Sequence, residues 1–350
     1  MIRRSTFRLI ASIASLLAAF LPSTPSRSQP GQRIVAVGDL HGDFEAYRGI
    51  IRAAALVDRR DRWAGGRTVF VQTGDIADRG PDSRKIIRHL MRLQREAARA
   101  GGEVIVLVGN HEAMNVIGDL RYVDPGEYRA FVDRHSRERR ALAYQSNEAR
   151  IRAHLLARDP DLTAQEIREE WMRETPLGAF EHRAAWHPDG EIGRWVSRNP
   201  AVALIQGNLF VHAGISRTYA GLSILEINRR VRDALIARET GPDSIINDPA
   251  GPLWYRGHVL ESEGPATPDA KLDELRQVLQ AHRAQRLIIG HTPRESRIQI
   301  LHGGQLVLID TGISDFYGSR WAYLEILNGR VIPHSVASAP SPHPEERSSR

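Results

Sequence analysis

The sequence predicts an α/β fold of two sheets with a helical insertion. Three observations carry that expectation. Strand-like and helix-like stretches alternate from Arg33 to Val108, a charged and helix-rich stretch from Gly118 to Pro200 breaks the rhythm, and short β-branched runs resume at Ala201. Such alternation builds parallel strands joined by crossover helices and places ligands beyond the strand C-termini.

Arg33 to Val37 (RIVAV) reads as the first strand, and Phe44 to Leu56 has helical spacing. Thr68 to Gln72 is the second strand. A helix is predicted over Asp82–Arg99, with Pro81 just ahead of it and Ile86, Ile87, Leu90, Met91 and Leu93 as its apolar stripe. Val104 to Val108, β-branched and apolar, is the third strand. Inside the insertion, Leu162 to Arg173 reads as a helix, with Thr163 and Glu166 spaced as a capping box. Trp171, Trp186 and Trp195 suggest that the insertion packs onto something, beside or over the site. Strands follow at Ala201–Leu204 and Asn208–Val211, then helices at Ile224–Ala237 and near Leu272–His282. Leu287–Ile289, Ile298–Leu301, Leu306–Ile309 and Ala322–Ile326 read as strands of a second sheet. Ser335 to Arg350 is rich in Ser and Pro and is expected to be disordered.

Met1 to Pro30 has the layout of an export leader. Arg3 and Arg4 precede an apolar run of 13 residues, Leu9 to Leu21, shorter than the roughly 20 a spanning helix needs. A periplasmic or secreted mature protein is expected, with an uncleaved anchor as the alternative. Residues 31–334 would then form the catalytic domain, interrupted by the insertion at about 118–200, with 335–350 as its tail.

The formal charge of +6 does not signal nucleic-acid binding. Arg3, Arg4, Arg8 and Arg27 lie in the leader, and setting them aside lowers the charge to +2. No basic stripe with interleaved aromatics is present. Cysteine is absent, which excludes a thiol nucleophile, a thiolate zinc site and disulfides.

Chemistry gathers at the strand ends. The first strand runs into GDLHGD (Gly38–Asp43), the second into GDIADRG (Gly74–Gly80) and the third into GNHE (Gly109–Glu112). Later come HAG at His212 and GHT at Gly290–Thr292. One glycine-ended strand with a histidine is ordinarily a capped turn; five such ends in order are not. Asp39 and His41 are two residues apart, so in an extended segment they point the same way. Asp39, His41, Asp75, Asn110, His212 and His291 offer carboxylate, amide and imidazole donors without thiolate, which suits Mn, Fe or Zn. Such a set exceeds the needs of one catalytic ion and suits two, about 3.5–4 Å apart and sharing a carboxylate. Glu112, beside these groups, is expected to accept backbone N–H bonds.

These motifs resemble the calcineurin-like metallophosphoesterases, in particular the phosphoprotein phosphatase branch, whose middle motif shares the DRG ending. GNHEAMN running into GDLRYV, GPLWYRG at Gly251–Gly257 and DTGIS at Asp310–Ser314 are similar to the Shewanella-like protein phosphatases. The resemblance implies a four-layer α/β/β/α sandwich of two mixed sheets. It implies that Asp39, His41 and Asp75 hold one ion, and that Asp75, Asn110, His212 and His291 hold the other. Pro293 stands where many members carry a further histidine. Water activated by the ions would attack phosphorus in line, with Arg79, Arg256 and Asn110 on the phosphate oxygens. His111, oriented by Asp78, is expected to protonate the leaving oxygen. The expected activity is a phosphomonoesterase acting on phosphoproteins at Ser/Thr or Tyr, with a nucleotidase, a dinucleotide polyphosphate hydrolase or a scavenging phosphatase as alternatives.

Overall fold

Three parallel strands, Ile34–Val37 (β1), Val69–Gln72 (β2) and Glu103–Val106 (β3), are joined by helices Phe44–Ala53 (α1) and Ser83–Arg99 (α2). The computed structural model describes residues 31–260, 264–265, 267–293 and 297–338. The expected leader (residues 1–30) and residues 339–350 of the expected tail lie outside the described residues. No described helix is long and apolar enough to cross a membrane.

A short helix, Asn110–Ile117 (α3), follows β3, and the insertion supplies Pro125–Arg129 (α4), Ser136–Arg158 (α5), Ala164–Glu174 (α6), Ala179–Trp186 (α7) and Glu191–Val196 (α8). The capping box forms as its spacing predicts, with Thr163 Oγ1 accepting from Glu166 N–H and Glu166 Oε2 accepting from Thr163 N–H. The second half contains Val202–Ile205 (β4), Asn208–Val211 (β5), Arg217–Ala220 (α9), Ile224–Ala237 (α10), Pro268–Ala281 (α11), Arg286–Ile289 (β6), Gln299–Leu301 (β7) and Leu306–Leu308 (β8). Two closing strands, Ala322–Leu327 (β9) and Arg330–Ser335 (β10), complete the fold.

The strands form two mixed five-stranded sheets, ordered β10-β9-β1-β2-β3 and β4-β5-β6-β8-β7. Here the structure corrects the sequence reading. Ala322–Ile326 was expected in the second sheet, but the strand formed there, Ala322–Leu327, pairs antiparallel with β1, where Glu325 meets Arg33. A period-two pattern identifies a strand without saying which edge it joins. Ser335, expected to open a disordered tail, instead ends β10.

Residue alternation decides the layers. Ile34, Ala36, Val69, Val71, Phe210, Ile288 and Val307 fill the space between the sheets. Their neighbours Val35, Val37, Phe70, Leu209, Val211 and Leu287 point outward, into the core shared with the flanking helices. The result is helices on both outer faces of two packed sheets, with the strand C-termini of both sheets at one rim.

Candidate metal centre

Both sheets deliver side chains to that rim. Asp39 and His41 follow β1, Asp75 follows β2 and Asn110 opens α3 after β3, while His212 and His291 follow β5 and β6 of the other sheet. The loops are tied together by main chain. Leu40 and His41 N–H both donate to Asp75 O, and Gly42 N–H donates to Ile76 O. The approach is close enough that a Cβ on Gly42 would lie 2.3 Å from Gly80 O. His41, Asp75, Asp78, Arg79 and His291 all have positive φ, between 43° and 71°. Such conformations cost a non-glycine residue about 1–3 kcal/mol and persist only where surrounding contacts enforce them.

Glu112 supplies much of that enforcement. Its Oε2 accepts from Gly109 and Asp75 N–H, and its Oε1 from Ile76 and Ala77 N–H. The expectation that this carboxylate caps main chain holds.

Asp75 sits at the middle of the donors. Burial alone would raise its pKa, but the His212, His111 and His41 imidazoles around it hold it well below the ordinary carboxylate value. Around Oδ1, His212 Nε2 lies at 3.3 Å and is itself 2.9 Å from Asn110 Oδ1 and 3.0 Å from His291 Nδ1. Around Oδ2, His41 Nε2 and His111 Nε2 each lie at 3.9 Å. The donors of His41, Asp75 and His111 lie within 4.8 Å of one another, and so do those of Asp75, His212 and His291.

The donor chemistry fits cations. His212 Nδ1 is 2.9 Å from Thr73 O, which must accept a proton there. Nε2 then directs a lone pair at other electron-rich atoms, an arrangement that only a proton or a metal ion reconciles. Asp39 Oδ1 and His291 Nε2 are buried with no hydrogen-bond partner. Burial, then Asp310 and Asp75, push Asp39 well up, and burial with Asp75 pushes Asp310 up to about 7. Cations would relieve such crowding of acids.

The structure brings together most of the residues singled out from sequence, with one shift of emphasis. His41 is in the left-handed region, so the extended geometry assumed for Asp39 and His41 does not apply. Asp39 leans toward the second sheet instead, its Oδ2 accepting from His291 N–H at 2.9 Å. His111 Nε2 also lies beside His41 and Asp75.

His111 and Asp78 are in contact, with Nδ1 and Oδ2 2.6 Å apart. Burial lowers the imidazole pKa, but Asp75 and Asp78 outweigh it and the net shift is upward. Asn115, not anticipated from sequence, steadies the pair by donating from Nδ2 to Asp78 Oδ1 and His111 O. Its spacing of one helical turn from His111 was the available signal. Arg256 is half-buried and close enough to His291 to depress its pKa, after burial and His212. Arg79 lies on the opposite flank, its guanidinium 4.0 Å from the Tyr122 ring centroid. Tyr122, Phe316, Tyr317 and Asp310 were also missed; Tyr122 lies in the GDLRYV motif and Asp310 in DTGIS, while Phe316 and Tyr317 lie in no motif.

Donors of this kind at the strand ends of a two-sheet sandwich mark a metallophosphoesterase, and comparison with known proteins agrees. The chain belongs to the calcineurin-like phosphoesterases, whose family profile matches residues 32–295. Within that family it is similar to Shewanella-like protein phosphatase 2 of Arabidopsis thaliana, 30% identical over 318 residues and covering 86% of this chain and 78% of the relative. Shewanella-like protein phosphatase 1 of Plasmodium berghei (strain Anka) is 30% identical over 308 residues, covering 85% and 73%. The crystal structure of a cold-active protein-tyrosine phosphatase from a psychrophilic Shewanella shares the fold, with a TM-score of 0.63 at 24% identity, covering 87% of this chain and 80% of that one. The chain is therefore a phosphatase-class hydrolase of the metallophosphoesterase type.

Proposed function

We propose that this chain is a binuclear phosphomonoesterase acting on phosphorylated Ser/Thr or Tyr side chains of proteins. The observation that supports it most is the placing of an imidazole about each oxygen of Asp75, His212 at Oδ1 and His41 at Oδ2. Asp39, His41 and Asp75 are the proposed ligands of one ion, and Asp75, Asn110, His212 and His291 those of the other, with Mn, Fe or Zn suited to the donors. Such ions supply Lewis acidity and activate water. The chain's own groups do the rest. Arg79, Arg256 and Asn110 receive the phosphate oxygens and neutralise charge as it develops. His111 keeps a proton on Nε2 for the leaving oxygen while its Nδ1–H is held by Asp78. No side chain is required to carry the phosphoryl group. The relatives' names, protein phosphatases and a protein-tyrosine phosphatase, support a protein substrate. The leader-like residues 1–30 support export, which fractionation of cells producing the full chain would check.

The test pairs metal content with rate. Asp75→Asn is expected to lose bound metal and activity together. His111→Asn should keep its metal and lose rate by about 10²–10⁴-fold. An His111→Asn protein stripped of metal would make His111 a ligand instead. Phosphotyrosine, phosphoserine and phosphothreonine peptides and nucleotides, each with Mn, Fe, Zn or Mg, test the substrate. Turnover of nucleotides with none of peptides would reject the protein-phosphatase reading.

A further inference from the structure

Six side chains form a closed circuit on one flank of the centre. His41 packs on His111 (4.9 Å between ring centroids) and on Tyr317 (5.1 Å). Tyr317 packs on Phe316 at 4.8 Å, and His111 on Tyr122 at 5.3 Å. Arg79 closes the circuit, its guanidinium carbon 4.0 Å from the Tyr122 centroid and 4.8 Å from that of Phe316. Phe316 is 49% exposed, an unusual place for a phenylalanine that serves only packing.

We propose that Tyr122 and Phe316 are positioning residues that fix the Arg79 guanidinium between their rings while leaving its outer N–H groups free for phosphate. The inference rests on the reading of Arg79 as a phosphate clamp. An arginine at a site mouth has many rotamers, and holding one of them ordinarily takes a carboxylate partner. A carboxylate would occupy the donors and oppose an incoming phosphate. Aromatic faces attract the cation through the ring quadrupole and use no N–H. Among the described residues Arg79 has no ion pair. Its backbone is fixed as well, with φ at 66° and its N–H donated to Tyr122 O at 3.0 Å. Tyr122 therefore holds both ends of the residue. Phe316 is fixed in turn by its 3₁₀ turn, Asp315–Tyr317, whose Asp315 N–H donates to Asp43 Oδ2 at 3.0 Å. Asp43 caps α1 through Ala46 N–H, which ties the turn to the first helix.

The test uses the metal-loaded full chain, with p-nitrophenyl phosphate as substrate and inorganic phosphate as competitive inhibitor. Arg79→Ala is expected to raise the phosphate inhibition constant at least about tenfold. Phe316→Ala should raise it about three- to tenfold, with KM rising more than kcat falls, and Phe316→Tyr should restore it. In the Arg79→Ala background, Phe316→Ala should add less than about twofold, because the group it positions is gone. Tyr122→Phe, which keeps the ring, should match the parent, and Tyr122→Leu should behave like Phe316→Ala. An equal effect of Phe316→Ala in both backgrounds, or none in the parent, overturns the proposal while leaving the clamp reading intact. No effect of Arg79→Ala removes the clamp and the proposal together. Unchanged thermal midpoints show that Phe316→Ala acts on the site and not on folding.

Discussion

Glu112 is buried beneath the cluster of donors, and its two oxygens accept from four main-chain N–H groups. An amide in its place would turn an N–H₂ group toward two of those donors. Glu112→Gln should therefore cost about 2–4 kcal/mol in denaturant unfolding, even though it leaves every proposed ligand in place. A loss below about 0.5 kcal/mol would show that the loops keep their left-handed turns without it. Sequence revealed this residue because a carboxylate set beside the donor cluster is expected to accept backbone N–H bonds. It pointed to the proposed ligands because carboxylate, amide and imidazole recur at successive strand ends. It did not reveal Phe316, which reaches Arg79 across 237 positions by through-space contact alone. Nor did spacing show that Asp39 would lean toward His291, since that depends on the left-handed backbone at His41.

At the scale of elements, the insertion rests on the helix that carries Asn110 and His111, because α7 packs against α3. Its anchor is a buried polar pair. His182 lies among Tyr128, Phe131 and Trp186, and its Nε2 is 3.7 Å from Glu127 Oε1. Burial, with a smaller effect from Arg183, pushes the His182 imidazole down to about 3. Burial pushes Glu127 well above the ordinary carboxylate value, the Ser83 hydroxyl only partly offsetting it. The two signs are opposite. Unfolded His182 takes up a proton near pH 6.5 and folded His182 only near 3, so its contribution is lost as pH falls through that window. Folded Glu127 holds its proton above the ordinary 4.5, so its contribution is lost as pH rises past that value. His182→Phe should therefore narrow the loss of stability between pH 6.5 and 3, by on the order of 4 kcal/mol at most. Glu127→Gln should gain stability at pH 8 and little at pH 4. Unfolding midpoints of parent and variants across pH check both, and variant-minus-parent differences that do not change with pH would count against both assignments. The helices of this region were legible where caps and stripes were complete, as at Thr163 and Glu166. β10 was not, for its residues are only exposed or half-buried and include Pro333, the profile of an edge strand.

For the molecule as a whole, the decisive contact is the return of β9 to β1. Leu324 and Ile326 join the core between the sheets, and Glu325 meets Arg33 beside the strand that leads to Asp39. A chain ending at residue 320 would keep all the proposed ligands but leave β1 as an open edge and thin the inter-sheet core. It should yield little soluble protein and show no cooperative melt by circular dichroism. A truncated chain that melts cooperatively and turns over p-nitrophenyl phosphate would show the return strand to be dispensable. The same topology sets an order of events during synthesis. Asp39, Asp75 and Asn110 leave the ribosome early, yet the main-chain N–H that Asp39 Oδ2 accepts belongs to His291, 252 residues later. Contacts of such sequence separation are slow to form. The nascent chain would therefore carry most of the proposed ligand atoms for many residues before the site that joins them exists, which would put the capture of any ion among the last acts of folding.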